Sequence, residues 1–335
     1  MKAIIKNSKR YKLVKYPRGL NLEDFETIRR TGSVGVSTEM FGEKWFVTPQ
    51  GKALFKDYII GYNEVRIINE LLYDELAKQI GLPVAQYLPA SFDQKNPKKN
   101  KDEIIYGLAT IDLTKRNENI IAGKQLLDYK LYRPNTFEKY LVAIDRFELT
   151  TGYKVNKKDI SNTLFKMMIL DALTFMEDRH ANNVSFIQND VDKYLTISPV
   201  IDNEMCFGGR YLWIYEMLRS NVKLNKFIEK HGAEMKMFVN ETDSSADNKN
   251  KYVENVKQIV KLAKKNPSTS KYLDTALKKF NIDLALSNVK KMGYEISPEY
   301  EKFVRELAGL SKNIFENYIK IYDHNKQKNC KEEVL

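Results

Sequence analysis

The chain has 335 residues, 43% hydrophobic and 30% charged, a balance that suits a globular protein of one large domain or two lobes. It has no apolar run near the ~20 residues of a membrane span, no apolar core behind its basic start MKAIIKNSKRYKL, and only two distant cysteines, Cys206 and Cys330, with three histidines, His180, His231 and His324; this argues against Sec export, a disulfide framework and a Cys- or His-rich metal site, and a cytoplasmic protein without membrane contact is the expectation. The net charge of +11 fits an anionic ligand or partner, but without zinc-finger spacing or a basic zipper the lysines read as a solvated surface and no sequence-specific DNA binding is expected.

In chain order, Thr31-Gly-Ser-Val-Gly-Val-Ser-Thr38 comes first. Gly32 and Gly35 let a backbone approach phosphates closely, so this segment, with Ser33, is a candidate phosphate-covering loop, although it is not a Walker GxxxxGK[ST]. Phe46-Val47 and Ala53-Leu54-Phe55 read as strands joined by the turn Thr48-Pro-Gln-Gly51. A helix is predicted over Asn63 to Ile80, with Val65, Ile68, Leu72, Leu76 and Ile80 at three- and four-residue spacing. Gly81 stops it and Pro83 prevents its continuation. Val84 to Pro89 and Ile104 to Ile111 read as strands around a lysine-rich loop, Gln94 to Lys101.

From about Gly123 the pattern turns helical, with helices predicted over Thr136 to Leu149 and Asn162 to Met176. Strands follow at Val184–Ile187 and Tyr194–Ile197, and the polar run NETDSSADNKN, Asn240 to Asn250, reads as a loop. Ser297-Pro298-Glu299 offers a capping serine, a proline at the first helical position and an acidic first turn, opening a long helix. The elements describe an α+β class with a small β-rich lobe, residues 1–112, and a larger helical lobe, residues 113–335.

The most informative segment is Asp178-Arg-His-Ala-Asn-Asn183, followed 19 residues later by Asp202. It sits where an apolar helix gives way to a loop. Phosphoryl transfer needs hard oxygen ligands for magnesium and a carboxylate that orients the attacking hydroxyl. Asp178 can accept the hydroxyl proton, and Asn183 and Asp202 can hold the metal.

This pattern resembles the catalytic loop, DxHxxN, and downstream magnesium-binding aspartate of the HipA-like protein kinases, bacterial serine/threonine kinases with a two-lobed kinase-like fold. DRHxxN also occurs in phosphoinositide kinases, so the hexapeptide leaves the acceptor open. The small lobe extends the resemblance. Ala53-Leu-Phe-Lys-Asp57 looks like the strand that carries the nucleotide-binding lysine, here Lys56. Asn69-Glu-Leu-Leu-Tyr-Asp-Glu-Leu-Ala-Lys-Gln-Ile-Gly-Leu-Pro-Val84 is similar to the family's helix ending in a "LAKELGLPV"-like phrase.

The resemblance implies that Glu70 pairs with Lys56 and sets it against the α/β-phosphates of ATP, with Lys52 and Glu64 as the alternatives. It implies that Tyr106-Gly-Leu-Ala-Thr110 is the connector between lobes, with Leu108 packing on adenine, although that segment reads equally well as a buried strand. His180 would brace the catalytic loop; Arg179 would either touch phosphate or support the loop. Ser33 or Ser37 would be the site of autophosphorylation. Together these imply an ATP- and Mg2+-dependent kinase acting on Ser/Thr of a protein substrate, with a toxin role in a toxin–antitoxin pair among the family's functions. The alternatives are a lipid or small-molecule kinase and an inactive nucleotide-binding interaction module. The likeness covers most of residues 31–205. Many relatives have a small residue and Asn before the catalytic Asp where this chain has Phe175-Met-Glu177. Longer members carry an extra N-terminal subdomain without counterpart here, which an antitoxin or separate partner could replace.

Overall fold

The turn signal between Thr48 and Gly51 is realised as an antiparallel hairpin of β4 (Lys44–Thr48) and β5 (Gly51–Asp57), with Thr48 opposite Gly51. The computed structural model describes residues 13–17, 19–21, 27–28, 44–48, 51–57, 64–96, 101–127, 135–209, 213–220, 223–224, 226, 236–240 and 248–332. The candidate phosphate loop, with Gly32, Ser33, Gly35 and Ser37, lies outside these residues. β5 pairs with β7 (Lys101–Ile111), β7 with β6 (Tyr87–Asn96) and β6 with β2 (Leu20–Asn21), while β3 (Thr27–Ile28) flanks β4. Only the β2–β6 pair of this six-stranded sheet is parallel.

The two ends of the expected lysine-rich loop, Gln94–Asn96 and Lys101, are strand. Pairing of β6 with β7 runs out to Asn96 opposite Lys101, because an antiparallel ladder satisfies backbone groups whatever polar side chains it carries. Val84, read as the start of a strand, instead makes a single parallel bridge to Val200. Tyr106–Thr110 is not the connector between lobes. It lies inside β7, with Leu108 opposite Lys56 on one side and Pro89 on the other. A central strand has its backbone donors and acceptors engaged on both edges, so the buried-strand reading is the correct one for this segment.

The helix after β5, α1 (Glu64–Ile80), ends as its sequence predicts. Gly81 takes φ +67°, its N–H donates to Lys78 O at 3.2 Å, and the Leu82 N–H donates to Ala77 O at 2.9 Å. This Schellman closure needs a left-handed residue that glycine adopts without penalty. α1 is buried nearly all round: Ile67, Ile68, Leu71, Leu72, Leu76 and Ala77 are inaccessible, and so are Asn69, Glu70, Tyr73 and Asp74. Such a helix belongs to the interior, with its polar side chains in specific partnerships.

Beyond β7 come β8 (Glu118–Ala122) and the single-turn α2 (Gly123–Leu126), then β9 (Asn135–Thr136), α3 (Phe137–Thr151), β10 (Lys154–Val155) and α4 (Lys157–Leu173). Thr136 caps α3 by accepting from the Lys139 N–H at 3.2 Å, and Gly152 closes it at φ +69°. α4 starts earlier than its apolar pattern indicates because Asn156 caps it, accepting from the Asp159 N–H. β11 (Ser185–Asn189) and β12 (Tyr194–Ile197) form an antiparallel hairpin in a second sheet, ordered β10-β12-β11-β8.

After α5 (Trp213–Ser220), the short strand β13 (Met237–Phe238) runs parallel to β9. α6 (Asn248–Lys264) takes over the last residues of the expected Asn240–Asn250 loop. α7 (Pro267–Lys279) and α8 (Ile282–Lys291) follow, then β14 (Glu295–Ile296) and the long α9 (Pro298–Glu332). Ser297 caps α9, its hydroxyl accepting from the Tyr300 N–H at 3.2 Å.

The molecule is a two-lobed α+β structure with one continuous apolar core, in which α1 packs against α4, α7 and α8. β1 (Val14–Lys15), from the segment assigned to the small lobe, pairs antiparallel with β14 in the helical part, and Leu13 and Val14 are buried there. Among the described residues no helix is long and apolar enough to cross a membrane.

Candidate active site

The end of α4 positions Asp178. A helix leaves its last carbonyls unpaired, and here the rest of the chain satisfies them. Asp171 O accepts from the Met176 N–H, Ala172 O from the Tyr252 hydroxyl, Leu173 O from the Ser311 hydroxyl and Thr174 O from the Phe207 N–H. Phe175 occupies the left-handed position, φ +51°, that glycine usually fills. Its ring is inaccessible and stacks on Tyr252 at 4.3 Å between centroids, with Trp213 edge-on. The departure from the small residue of the resembled family therefore has a physical counterpart: aromatic packing holds a strained turn.

The next turn is knitted to itself. The His180 N–H donates to Asp178 O at 2.7 Å, the Asn183 N–H to His180 O at 2.9 Å, and the Asn183 side-chain amide to Asp178 O at 2.9 Å. With its N–H2 group committed inward, Asn183 keeps its side-chain oxygen as an acceptor. Asn135 of β9 donates to Arg179 O at 2.8 Å and holds the loop from the other side.

Arg179 supports the loop and does not reach for phosphate. Its side chain is 1% exposed. Nε and Nη2 bind both oxygens of Asp171, at 3.0 and 3.1 Å. Nη1 donates to Asn183 O at 3.1 Å and to Ile201 O at 2.9 Å, and Nη2 also donates to Asn203 Oδ1 at 2.6 Å. The guanidinium lies over the Tyr73 ring, whose hydroxyl donates to Asp171. Burial alone would lower the Arg179 pKa, but Asp171 and Tyr73 outweigh it and the group stays charged. One planar fork thus joins α4, the Asp178 loop and the Asp202 segment.

Asp202 follows the Val84–Val200 bridge and has φ +58°, a left-handed conformation that aspartate tolerates better than most residues. Its carboxylate forms an ion pair with the Lys56 ammonium, which also lies 3.7 Å from Glu204. Burial would push the Asp202 pKa up, but the attraction of Lys56 prevails and holds it below the ordinary carboxylate range. Lys56 projects from β5 into this centre and is nearly buried, whereas Lys52 is exposed.

Glu70 faces the same centre from α1. Its two oxygens accept from the Asn203 N–H at 2.9 Å and the Asn203 amide at 3.0 Å. Burial pushes its pKa to about 8 against the opposing pull of Lys56. Glu70 therefore does more than face a lysine, since it binds the residue next to Asp202 at two points. Asn69, one position earlier, donates to Cys206 O at 2.7 Å and Glu204 O at 3.2 Å and accepts from the Tyr300 hydroxyl. Glu64 lies at the start of α1, away from this cluster in sequence, and its side chain is outside the described residues.

Asp178 itself is partly exposed. Its Oδ1 accepts from Lys236 Nζ at 2.5 Å, and His180 Nε2 lies 3.7 Å from its Oδ2. Burial is the main cause that lowers the His180 pKa below its ordinary value, so the ring is neutral at pH 7. Of the sequence candidates, Lys56, Glu70 and Asp202 meet at one point, and Asp178, His180 and Asn183 share the adjoining loop. Tyr106 and Leu108 belong to the sheet, where Tyr106 stacks on Tyr16. Sequence reading missed Asn203, Glu204, Asp171 and Lys236. Asn203 and Glu204 adjoin Asp202 and could have been found, but nothing local marks Lys236, 58 residues downstream of Asp178.

The donor set suits a hard divalent cation: an amide oxygen on Asn183, a carboxylate on Asp202, and the Glu204 Oε2, which is buried without a hydrogen-bond donor. Arg179 Nη1 touches the backbone of both Asn183 and Ile201, which brings the first two ligands' chain segments together. Among the described residues no group of three His, Cys, Asp or Glu side chains forms a metal site by itself.

The fold matches a solved structure over most of the chain. The proinflammatory kinase CtkA of Helicobacter pylori superposes with a TM-score of 0.60 at 12% identity, over 90% of this chain and 99% of that one. The chain has a kinase fold. HipA, solved with HipB and operator DNA from Shewanella oneidensis, is more distant, with a TM-score of 0.49 at 14% identity over 95% of this chain and 71% of that one. No protein-family model and no curated protein matches the sequence. Within the kinase fold, the sheet that carries Lys56 and the loops that carry Asp178 and Asp202 enclose the candidate site.

Proposed function

We propose that the chain is an ATP- and Mg2+-dependent kinase of the HipA-like type that transfers the γ-phosphoryl group to Ser or Thr hydroxyls of protein, its own chain included. The observation that carries this reading is the meeting of Lys56 with Asp202, on a segment that Arg179 ties to the Asp178–Asn183 loop. Residue types spread over more than a hundred positions come together in a partly exposed centre, as phosphoryl transfer requires.

In this reading Asp178 accepts the proton of the attacking hydroxyl, and Lys56 turns from Asp202 to the nucleotide phosphates. Asn183 and Asp202 would hold Mg2+, which neutralises charge on the phosphates. Glu70 and Arg179 act on position: they fix the Asp202 segment through Asn203. The fold supports the phosphotransferase class, and the serine/threonine protein acceptor rests on the resemblance in residues 31–205.

Incubation with radiolabelled ATP and magnesium, followed by phosphosite mapping, tests the reading. Label on Ser or Thr of the chain is the expected result, and Asp178→Ala should lower the rate at least about a hundredfold while nucleotide binding persists. Label appearing only on added lipid or small-molecule acceptors would replace the protein-kinase reading. No nucleotide binding by the folded chain would overturn it.

A further inference from the structure

The partner that Asp178 shows in the structure comes from outside the catalytic loop. Lys236 Nζ donates to its Oδ1 at 2.5 Å, and both side chains are partly exposed, 30% and 21%. Lys236 stands directly before β13, and that short strand is unusually well fixed. Met237 and Phe238 pair with Asn135 and Thr136 of β9. Asn255, inaccessible in α6, donates to Met237 O at 3.1 Å and accepts from the Val239 N–H at 3.0 Å. The Glu138 N–H donates to Val239 O, and Met237, Phe238 and Val239 are all buried. The same Asn135 that pairs with Met237 donates to Arg179 O beside Asp178. The mount of Lys236 and the catalytic loop are thus bolted to one residue.

Among the described residues, the other basic side chains around Asp178 leave the γ-phosphoryl group without a side-chain cation. Arg179 is buried and spent on Asp171, Asn183, Ile201 and Asn203. His180 is engaged within the loop, its N–H on Asp178 O and its carbonyl accepting from the Asn183 N–H. Lys56, which pairs with Asp202 in the structure, is committed in the reading above to the α/β-phosphates. Elementary geometry places the reacting phosphorus near Lys236. The hydroxyl must lie within about 3 Å of Asp178, and the phosphorus about 3–3.5 Å beyond it. An ammonium on the same carboxylate reaches the phosphoryl oxygens by rotation of a flexible side chain.

We propose that Lys236 is a catalytic residue of this kinase, a cation delivered in trans to the loop that binds the γ-phosphoryl oxygens during transfer. The inference rests on the function proposed above. In the step, the acceptor oxygen forms a bond to Pγ as its proton passes to the Asp178 carboxylate. The bond from Pγ to the β,γ-bridging oxygen breaks, and its electron pair stays on ADP. Lys236 exchanges Asp178 for the γ-phosphoryl oxygens as their charge redistributes, and it remains protonated throughout.

Three proteins test this: the parent, Lys236→Met and Lys236→Arg. Calorimetry with magnesium compares a non-hydrolysable ATP analogue with ADP, and the rate of γ-phosphate transfer to the chain or to water is measured alongside. Lys236→Met should bind the ATP analogue about tenfold more weakly, with ADP affinity unchanged, and the transfer rate should fall about a hundredfold or more. Lys236→Arg should recover at least about tenfold of that loss, since it restores a donor cation. A merely structural role would lower the unfolding temperature without changing the ratio of the two affinities. An unchanged ratio and rate in Lys236→Met, with an active parent, overturns this inference alone. A faster Lys236→Met overturns it too and makes the Asp178 contact an inhibitory latch. A parent that binds neither nucleotide overturns the kinase reading and the inference together.

Discussion

At the scale of single residues, the site depends on buried charges that are fully partnered. Arg179 makes five hydrogen bonds in an inaccessible position, and a lysine there could not span Asp171, Asn183, Ile201 and Asn203 at once. Arg179→Lys should destabilise the fold by about 3–5 kcal/mol, the scale for breaking a buried charge network, read as a lower urea midpoint. An unchanged midpoint would mean that the hydrogen bonds of this fork are dispensable. Glu70 and Asp74, one helical turn apart on α1, give a pH prediction. Burial is the main cause that raises both, Glu70 to about 8, and the Asn203 amide lies between them, 3.4 Å from Asp74. A carboxyl raised on folding contributes stability in full below its unfolded pKa and loses it as pH rises through the folded value. The parent should therefore lose stability as pH rises from about 4.5, the ordinary carboxyl value, to about 8, where Glu70 ionises in the folded state. Asp74→Asn keeps the shape and the acceptor but cannot ionise. It should be near neutral below about pH 4 and increasingly stabilising relative to the parent as pH rises above that, measured as unfolding temperature against pH. A gain that does not grow with pH would show that burial does not hold the Asp74 carboxyl protonated in the folded state.

At the scale of elements, several boundaries follow from local chemistry. Gly81 ends α1 and Ser297 opens α9 as their residue types require. The end of α4 is different. Its C-terminal left-handed position is occupied by Phe175, a residue that pays in backbone strain for being there, of the order of 1–2 kcal/mol. The ring's stack on Tyr252 and its complete burial offset that cost. Removing a buried phenyl group costs about 3–5 kcal/mol, so Phe175→Gly should be destabilising by a net of about 1–4 kcal/mol despite the relaxed backbone. Denaturant unfolding checks the sign, and a stabilised glycine variant would mean that strain outweighs packing at this turn. β6 and β7 show the converse limit of local reading: polar residues to Asn96 and from Lys101 looked like loop, yet the ladder carried them as strand.

At the scale of the whole molecule, the candidate site is assembled from distant elements. The sheet supplies Lys56, α1 supplies Glu70, and the loops after α4 and β12 supply Asp178, Asn183 and Asp202. A Mg-nucleotide that binds across them should raise the unfolding temperature with concentration, by about 2.7 kcal/mol of stability at a hundred times Kd. Chelating the metal should remove most of that shift, and a shift unaffected by chelation would place the nucleotide away from Asn183 and Asp202. The sequence alone determined the stop of α1 at Gly81, the cap of α9 at Ser297 and the hairpin at Thr48–Gly51, because these depend on neighbours within a few residues. It could not reveal that Arg179 faces inward, that Tyr106–Thr110 is sandwiched between two strands, or that β1 pairs with β14 across the chain. Those outcomes depend on which distant segments pack together. The pairing of Lys236 with Asp178 is the extreme case: no spacing or periodicity links the two residues, and only the joint anchoring of β13 and the catalytic loop through Asn135 brings them within 2.5 Å.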